Sequence, residues 1–269
     1  MFMYQLQNTI NTLMDTIREI YTMLGSDPEK VYACMLKTVM HAVDQSCFPE
    51  VESNPILATL TGNVRPLIIS INSLLRKRMV ESSLYLKKAI DILDHTRNSR
   101  EPLYIILCDA LSLPEYMFLV YTFGKSFGVD KALCAVNPSG KTATFKYLAK
   151  EYLGIQTLPP KEEIVMKNVC EGLREKLRAS GASIFRDIDM LIHYGGEYRT
   201  VNEMINSLFK IANKLRNEVE NWLNNNYKVL VLADHGYDIL RNENAWALTH
   251  KWEKEKLCVS PFVPIVVIG

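Results

Sequence analysis

Five short apolar runs, separated by stretches with helical periodicity, constrain the fold of this chain most strongly. The runs are PLYIILCD (102–109), KALCAV (131–136), ASIFRDI (182–188), KVLVLAD (228–234) and FVPIVVI (262–268). Each has the length of a buried strand, and apolar residues recur at helical spacing between Val201 and Trp222. Strands that alternate with helices are typical of right-handed crossover connections. We therefore predict an α/β fold with a mainly parallel sheet flanked by helices.

The first 98 residues differ from the rest, because helical periodicity continues almost throughout them. Apolar residues from Met3 to Leu24 mark one helical face, Asp27-Pro28 is a helix-start signal, and a further amphipathic stretch runs from Ile69 to Leu93. The polar stretch HTRNSREP (95–102) separates this region from the apolar runs. We predict a helical module over residues 1–98, which could bind partner proteins, and an α/β domain over residues 99–269.

Composition excludes several classes of protein. The 269 residues include 48% hydrophobic and 23% charged side chains, which argues against disorder. The 31 basic and 30 acidic residues leave a net charge of +1, so bulk charge indicates neither a nucleic-acid binder nor an acidic tail. The six cysteines are scattered and form no CxxC pair, and the sequence shows no secretory signal and no apolar run of roughly 18 residues. These features favour a cytoplasmic protein without disulfides or a membrane partner.

Three of the apolar runs end at or next to an acidic residue, namely Asp109, Asp189 and Asp234. In open α/β sheets, ligands bind beyond the carboxyl ends of the strands, so these carboxylates could converge on one cation. Each carboxylate alone could instead cap a helix or stabilise a turn. The pattern of all three therefore carries more weight than any one of them.

Histidines accompany these acidic residues. His193 follows Asp189 by four positions, which places both on one face if the segment is helical, His235 follows Asp234 directly, and His250 precedes the last apolar run. Carboxylate oxygen and imidazole nitrogen are ligands of zinc and similar divalent ions. The residues therefore predict a metal site built from acids and histidines.

A turn rich in hydroxyl groups follows the second apolar run. Ser139, Thr142 and Thr144 lie where NPSGKTAT (137–144) enters a predicted helix, and the N–H groups at a helix start favour an anion. Any of the three could be a nucleophile, and at least one is expected to cap the helix. Segment 135–142 also resembles the end of a phosphate-binding P-loop, with alanine in place of its first glycine, which would make Lys141 a phosphate ligand. This alternative predicts a nucleotide hydrolase and leaves the histidines without a role.

In chain order, these residues resemble the ligand set of the alkaline phosphatase superfamily, in particular its PglZ-domain branch. The matching pieces are ILCDALS, IDMLIH, VLADHG and a late histidine before VPIVVI, and the resemblance covers residues 102–269. It implies two divalent metal ions, usually zinc, with manganese as an alternative, and a metal-bound hydroxyl that is transiently phosphorylated. Thr142 is the implied nucleophile because diesterase-like members carry a Lys-Thr step that Lys141-Thr142 matches. The implied ligands are Asp109, Thr142, Asp234 and His235 for one metal, and Asp189, His193 and His250 for the other.

The resemblance implies a metal-dependent phosphoryl-transfer hydrolase. We expect a phosphodiesterase acting on a nucleotide-type or oligonucleotide substrate, because a diester carries one charge whereas a monoester carries roughly two and needs more cationic contacts. The matched segments offer only Lys141 and Arg186, and the short spacing from Thr142 to Asp189 leaves little chain for a lid. The alternative is a non-catalytic signalling module that binds a nucleotide or a protein. Relatives of the PglZ type are associated with phage defence and signalling, which suggests a similar role.

Overall fold

The N-terminal region is helical. The computed structural model describes residues 2–20, 23–76, 82–94, 101–137, 140, 142, 150, 152–155, 162–242, 244–250 and 255–269. The helices of this region are α1 (Phe2–Ile20), α2 (Pro28–Val43), α3 (Pro49–Ser53), α4 (Pro55–Arg76) and α5 (Ser82–Asp94). The predicted helix start is confirmed, since Asp27 caps α2 by accepting the backbone N–H of Glu29 at 3.1 Å.

A mixed sheet with helices on its faces follows. The strands are β1 (Leu103–Cys108), β2 (Val129–Val136), β3 (Gly181–Phe185), β4 (Glu197–Tyr198), β5 (Lys228–Ala233), β6 (Asp238–Arg241), β7 (Trp246–Thr249) and β8 (Phe262–Ile268). The described helices between them are α6 (Leu113–Ser126), α7 (Glu162–Lys176), α8 (Asp187–Tyr194) and α9 (Val201–Asn224). The central sheet has the order β2-β8-β5-β1-β3, and a small sheet has the order β4-β7-β6.

The predicted α/β class is confirmed, and all five apolar runs form strands of the central sheet, but the sheet is mixed. β1 pairs in parallel with β3 and β5, whereas β8 is antiparallel to both β2 and β5. Four strands therefore run one way and β8 runs the other. The described residues between β5 and β8 form the strands β6 and β7 and no helix, and β8 starts from the edge where β5 ends.

One strand boundary also differs from the prediction. The run 182–188 was expected to be a strand as far as Ile188, but β3 ends at Phe185 and α8 begins at Asp187. Asp189 therefore lies in the first turn of a helix, and Asp189 and His193 share a face of that helix.

The N-terminal helices pack directly onto the α/β region. The apolar face predicted for α1 is buried, with Leu6, Ile10, Leu13 and Ile17 at most 1% exposed. α1 packs against α6 and β2, α2 packs against α4 and α6, and α5 packs against β2. No helix within the described ranges is both long and apolar enough to cross a membrane, and the six cysteines are free thiols.

A buried polar cluster, the Glu115 cluster, joins three parts of the chain. Glu115 of α6 accepts hydrogen bonds from the hydroxyl groups of Tyr32 in α2 and Tyr237, the latter at 2.7 Å, and from the backbone N–H of Ser112 at 3.1 Å. The four residues are at most 2% exposed. Burial raises the pKa of Glu115, although its hydrogen bonds oppose the shift. The cluster fixes α2 against the segments that follow β1 and β5.

Candidate metal centre

Two neighbouring strands deliver two carboxylates to one edge of the sheet. The last residues of β1 and β5 are register partners, so Asp109 and Asp234 follow them side by side. Two residues after β1, Ala110 takes the left-handed conformation with φ of 69°, which is uncommon for a residue other than glycine. This turn points its N–H at Asp234 Oδ1, at 3.1 Å. The strained residue is thus used to orient a carboxylate.

Asp234 is completely buried and holds the predicted nucleophile. Its Oδ1 also accepts the backbone N–H of His235 at 2.8 Å, and its Oδ2 accepts the hydroxyl of Thr142 at 2.8 Å. Asn137 donates to the backbone carbonyl of Asp234 at 2.8 Å, which ties the end of β2 to the same edge. Burial raises the pKa of Asp234 to about 7, and the hydrogen bonds from Thr142 and the two backbone amides limit the rise.

His235 faces both carboxylates with one ring nitrogen. Its Nδ1 lies 2.8 Å from the carbonyl oxygen of Gly236, and because a carbonyl only accepts, Nδ1 carries the proton. The Nε2 atom lies 3.6 Å from Asp109 Oδ1 and 3.5 Å from Asp234 Oδ2. The Nε2 atom is thus the ring nitrogen that faces two carboxylates, and this arrangement calls for a proton or a cation between them. This orientation is that of a metal-ligating histidine whose other nitrogen is hydrogen-bonded.

A second group of ligands lies beside the first. Asp189 Oδ1 is 3.3 Å from His193 Nε2, and His193 Nε2 is 3.3 Å from His250 Nε2. Ligand atoms of these three residues lie within 4.8 Å of one another, and so do ligand atoms of Asp109, Asp189 and His235. Asp189 therefore belongs to both groups. The His193 side chain is 51% exposed, so the second group forms the open side of the centre.

The electrostatics of the centre favour added positive charge. Asp109 Oδ1 is buried and has no hydrogen-bond partner among the described residues. Burial, then repulsion from Asp234 and Asp189, raises the pKa of Asp109 to about 8. Burial and the neighbouring His235 lower the pKa of His250. Buried carboxylates that repel one another, beside an imidazole whose charged form is disfavoured, would be stabilised by a bound divalent cation.

The spacing of the donor atoms fits a tetrahedral cation. Ligands at ~2.1 Å from a tetrahedral zinc ion lie about 3.4 Å apart, and the contacts from His235 and within the second group are 3.3–3.6 Å. These contacts are longer than the N–H···O hydrogen bonds of a well-formed network. The residues present therefore suit zinc or a similar divalent ion.

Two glycines hold the loops of the centre. A side chain at Gly236 would place a Cβ 2.9 Å from the carbonyl oxygen of Val259, and Gly236 donates its N–H to Ser260 at 2.8 Å. Gly140 has φ of +57°, and a Cβ there would lie 3.2 Å from the carbonyl oxygen of His250. Both positions require glycine, because a Cβ atom would come too close to the carbonyl oxygen of the neighbouring loop.

The structure brings together all seven residues proposed from the sequence. Two further residues act on this site. Asn137 binds the carbonyl of Asp234, and Arg186, which precedes α8, opposes the rise in the pKa of Asp109. Asn137 directly follows a predicted strand, and Arg186 lies three positions before Asp189. Both positions could therefore have been recognised from the sequence as part of the site. The alternative nucleophiles Ser139 and Thr144, together with Lys141, lie outside the described residues.

Neither protein-family models nor curated proteins match this chain. The resemblance to the PglZ-domain branch consequently depends on the residues that carry it. The chemistry of the metal centre is the basis for a functional assignment.

Proposed function

We propose that the protein is a metal-dependent phosphoryl-transfer hydrolase of the PglZ type, with two metal sites and Thr142 as nucleophile. The observation that carries the proposal is the contact between the Thr142 hydroxyl and the buried Asp234 carboxylate, at the edge of two overlapping ligand groups. A threonine that only capped a helix would have no need for three carboxylates and three imidazoles nearby.

The two groups of side chains would divide the metal ligands. Asp109, Asp234, His235 and Thr142 would hold the ion next to the nucleophile, and His193 and His250 would hold the other. Asp189 lies within reach of both groups, so it is placed to bridge them. Two bound divalent ions would supply positive charge for the attacking and leaving oxygens and lower the pKa of the attacking hydroxyl.

The protein side chains would move the proton and the phosphoryl group. The Thr142 oxygen attacks phosphorus, its proton passes along the 2.8 Å hydrogen bond to Asp234, and the bond from phosphorus to the leaving oxygen breaks. The departing alkoxide takes its proton from solvent. Water then attacks the phosphothreonine and loses one proton to solvent, the Thr142–phosphorus bond breaks, and the Thr142 oxygen takes back the proton held by Asp234. Asp234 is placed to accept and return that proton because its Oδ2 already accepts the Thr142 hydroxyl.

Phosphodiesters fit the charge of this centre better than phosphomonoesters do. Among the described residues, Arg186 is an arginine close to the candidate site, and its positive charge already opposes the rise in the pKa of Asp109. A diester carries a single negative charge, which two cations can nearly balance without further contacts. The exposed side of the second group leaves room for the second ester arm.

The test compares hydrolysis of bis-p-nitrophenyl phosphate and p-nitrophenyl phosphate with zinc and with manganese. We expect a higher kcat/KM for the diester, loss of turnover in Thr142→Ala, and unchanged turnover in Thr9→Ala, which removes an exposed hydroxyl from α1. No hydrolysis of either ester by metal-loaded protein would favour the non-catalytic signalling module. ATP cleavage that is lost in Lys141→Ala and retained in His193→Ala would favour the P-loop alternative.

A further inference from the structure

A cavity lies near the C-terminal end of α2 and is lined by residues other than the proposed metal ligands. It has a volume of about 650 Å³ and is enclosed by the end of α2 with its following loop, the start of α6, the β6–β7 hairpin and residues 256–259. Ligand pockets in proteins commonly measure roughly 300–1,000 Å³, so this space suits a small molecule.

The charged groups of this cavity favour an anion. Arg65, Arg241 and Lys256 line it together with two carboxylates, Asp44 and Asp238. Asp238 is 7% exposed and accepts the backbone N–H groups of residues 259 and 260, at 2.5 and 3.0 Å. Asp44 accepts the N–H and hydroxyl groups of the residue two positions later, at 2.9 and 2.7 Å. Asp44 and the Oδ1 atom of Asp238 are thus engaged by donors of the protein, and the hydrogen bonds to Asp44, together with the charge of Arg241, lower the pKa of Asp44.

The arginines present suitable donors. Arg65 donates one of its N–H groups to the carbonyl oxygen of Ala42 at 2.7 Å, which anchors the guanidinium at the end of α2. Arg241 lies over the ring of Trp246, with 5.4 Å between the guanidinium carbon and the ring centroid. A guanidinium has five N–H donors in a planar fork, so an anchored or stacked one can still bind an oxyanion.

Much of the remaining wall is apolar. Val39, Val43, Leu240 and Leu257 line the cavity beside Trp246, which packs against Phe48 at 6.4 Å between ring centroids. An apolar wall next to a cationic group fits a molecule with an apolar body and one anionic group.

We propose that this cavity binds a small organic anion, with its apolar body against the α2 valines and its anionic group facing Arg65, Arg241 and Lys256. The site adjoins the metal centre through two of its lining residues, Ser112 and Tyr237, which follow β1 and β5 by a few positions. The Ser112 hydroxyl donates to the Tyr237 carbonyl at 3.3 Å and so links those two segments. A bound anion would contact both segments that carry metal ligands.

The experiment measures binding of 8-anilinonaphthalene-1-sulfonate by fluorescence and its displacement by octanoate and by octanamide, which has the same shape without the charge. We expect one saturable dye site, and displacement by octanoate at a concentration at least roughly tenfold lower than by octanamide. Arg241→Gln should weaken octanoate binding roughly tenfold, and Val43→Trp should weaken dye binding by narrowing the cavity beside α2. Arg174→Gln, an exposed arginine on α7, is the matched control and should bind octanoate like the wild type.

The same titrations with EDTA present should give the same affinities. The proposal for this cavity is therefore tested independently of the proposed metal centre. Equal displacement by octanoate and octanamide would overturn the proposal, as would the absence of saturable dye binding. Dye and octanoate affinities that are unchanged in Arg241→Gln would place the dye elsewhere. This last comparison remains decisive if circular dichroism shows that Val43→Trp does not fold.

Discussion

Metal binding at this centre should depend steeply on pH, because each cation must displace protons from the carboxylates that would ligate it. The pKa of Asp109 is raised to about 8 and that of Asp234 to about 7. At pH 6 both groups therefore hold protons in the metal-free protein, whereas carboxylates with ordinary pKa values near ~4 would already be ionised. A divalent ion requires the ionised forms, so its binding releases these protons.

The magnitude follows from those two pKa values. Between pH 8 and pH 6, the ionised fraction falls about 50-fold for Asp109 and about tenfold for Asp234. The apparent Kd for zinc should therefore rise by a few hundredfold over this range, equivalent to about 4 kcal/mol. Carboxylates with unshifted pKa values would contribute almost no change over the same range.

Isothermal titration calorimetry with zinc, in buffers of different ionisation enthalpy, measures both the Kd and the number of protons released. We expect about two protons released at pH 6, fewer at pH 8, and a pH dependence reduced by about 50-fold in Asp109→Asn. The matched control is Asp15→Asn, which removes an exposed carboxylate of α1 and should leave the pH dependence unchanged. A zinc affinity that varies less than about tenfold between pH 6 and pH 8 would refute the reasoning, since two buried protonated carboxylates could not then be ligands.

Three further predictions concern single residues. Thr142→Ala should abolish turnover and largely spare metal binding, because the other six side chains remain, whereas Thr142→Ser should keep partial activity; turnover and metal content are measured on the same samples. His250→Ala should reduce the bound metal from two ions to about one per chain, and unchanged metal content by elemental analysis would contradict its role. Glu115→Leu should leave three buried donors without an acceptor and destabilise the fold by roughly 3 kcal/mol, which thermal denaturation would record as a fall in Tm of about 6–12 °C.

The sequence predicts the centre of this fold well because buried strands have a strong local signal. The runs that became β1 and β5 are continuous apolar segments, and a parallel pair of such strands necessarily presents the residues after them at one edge. The approach of Asp109 to Asp234 was therefore predictable. The spacing of Asp189 and His193 was equally informative, because four positions in a helix place two side chains on one face.

Other features have no comparable local signal. The direction of β8 depends on the path of the chain after β5. A continuous apolar run predicts a buried strand but does not indicate whether that strand is parallel or antiparallel to its neighbours. The strands of the small sheet have two to four residues, which is too short for a period-two pattern to stand out. The contact between Tyr32 and Glu115 joins residues 83 positions apart, so only the packing of α2 against α6 reveals it. The Ser-Leu-Pro-Glu sequence (112–115) forms a capping box at the start of α6, and such a motif does not reveal that its glutamate also accepts hydrogen bonds from two tyrosines.

Counting the bound metal ions tests the central claim most directly. The purified protein, loaded with zinc and freed of excess metal, would be measured by elemental analysis and then by anomalous scattering in crystals. We predict two ions per chain, roughly 3.5–4 Å apart, one between Asp109, Asp234 and His235 and the other between His193 and His250, with Asp189 next to both. A loaded protein with no anomalous peak within coordination distance of these side chains would contradict the two-metal account.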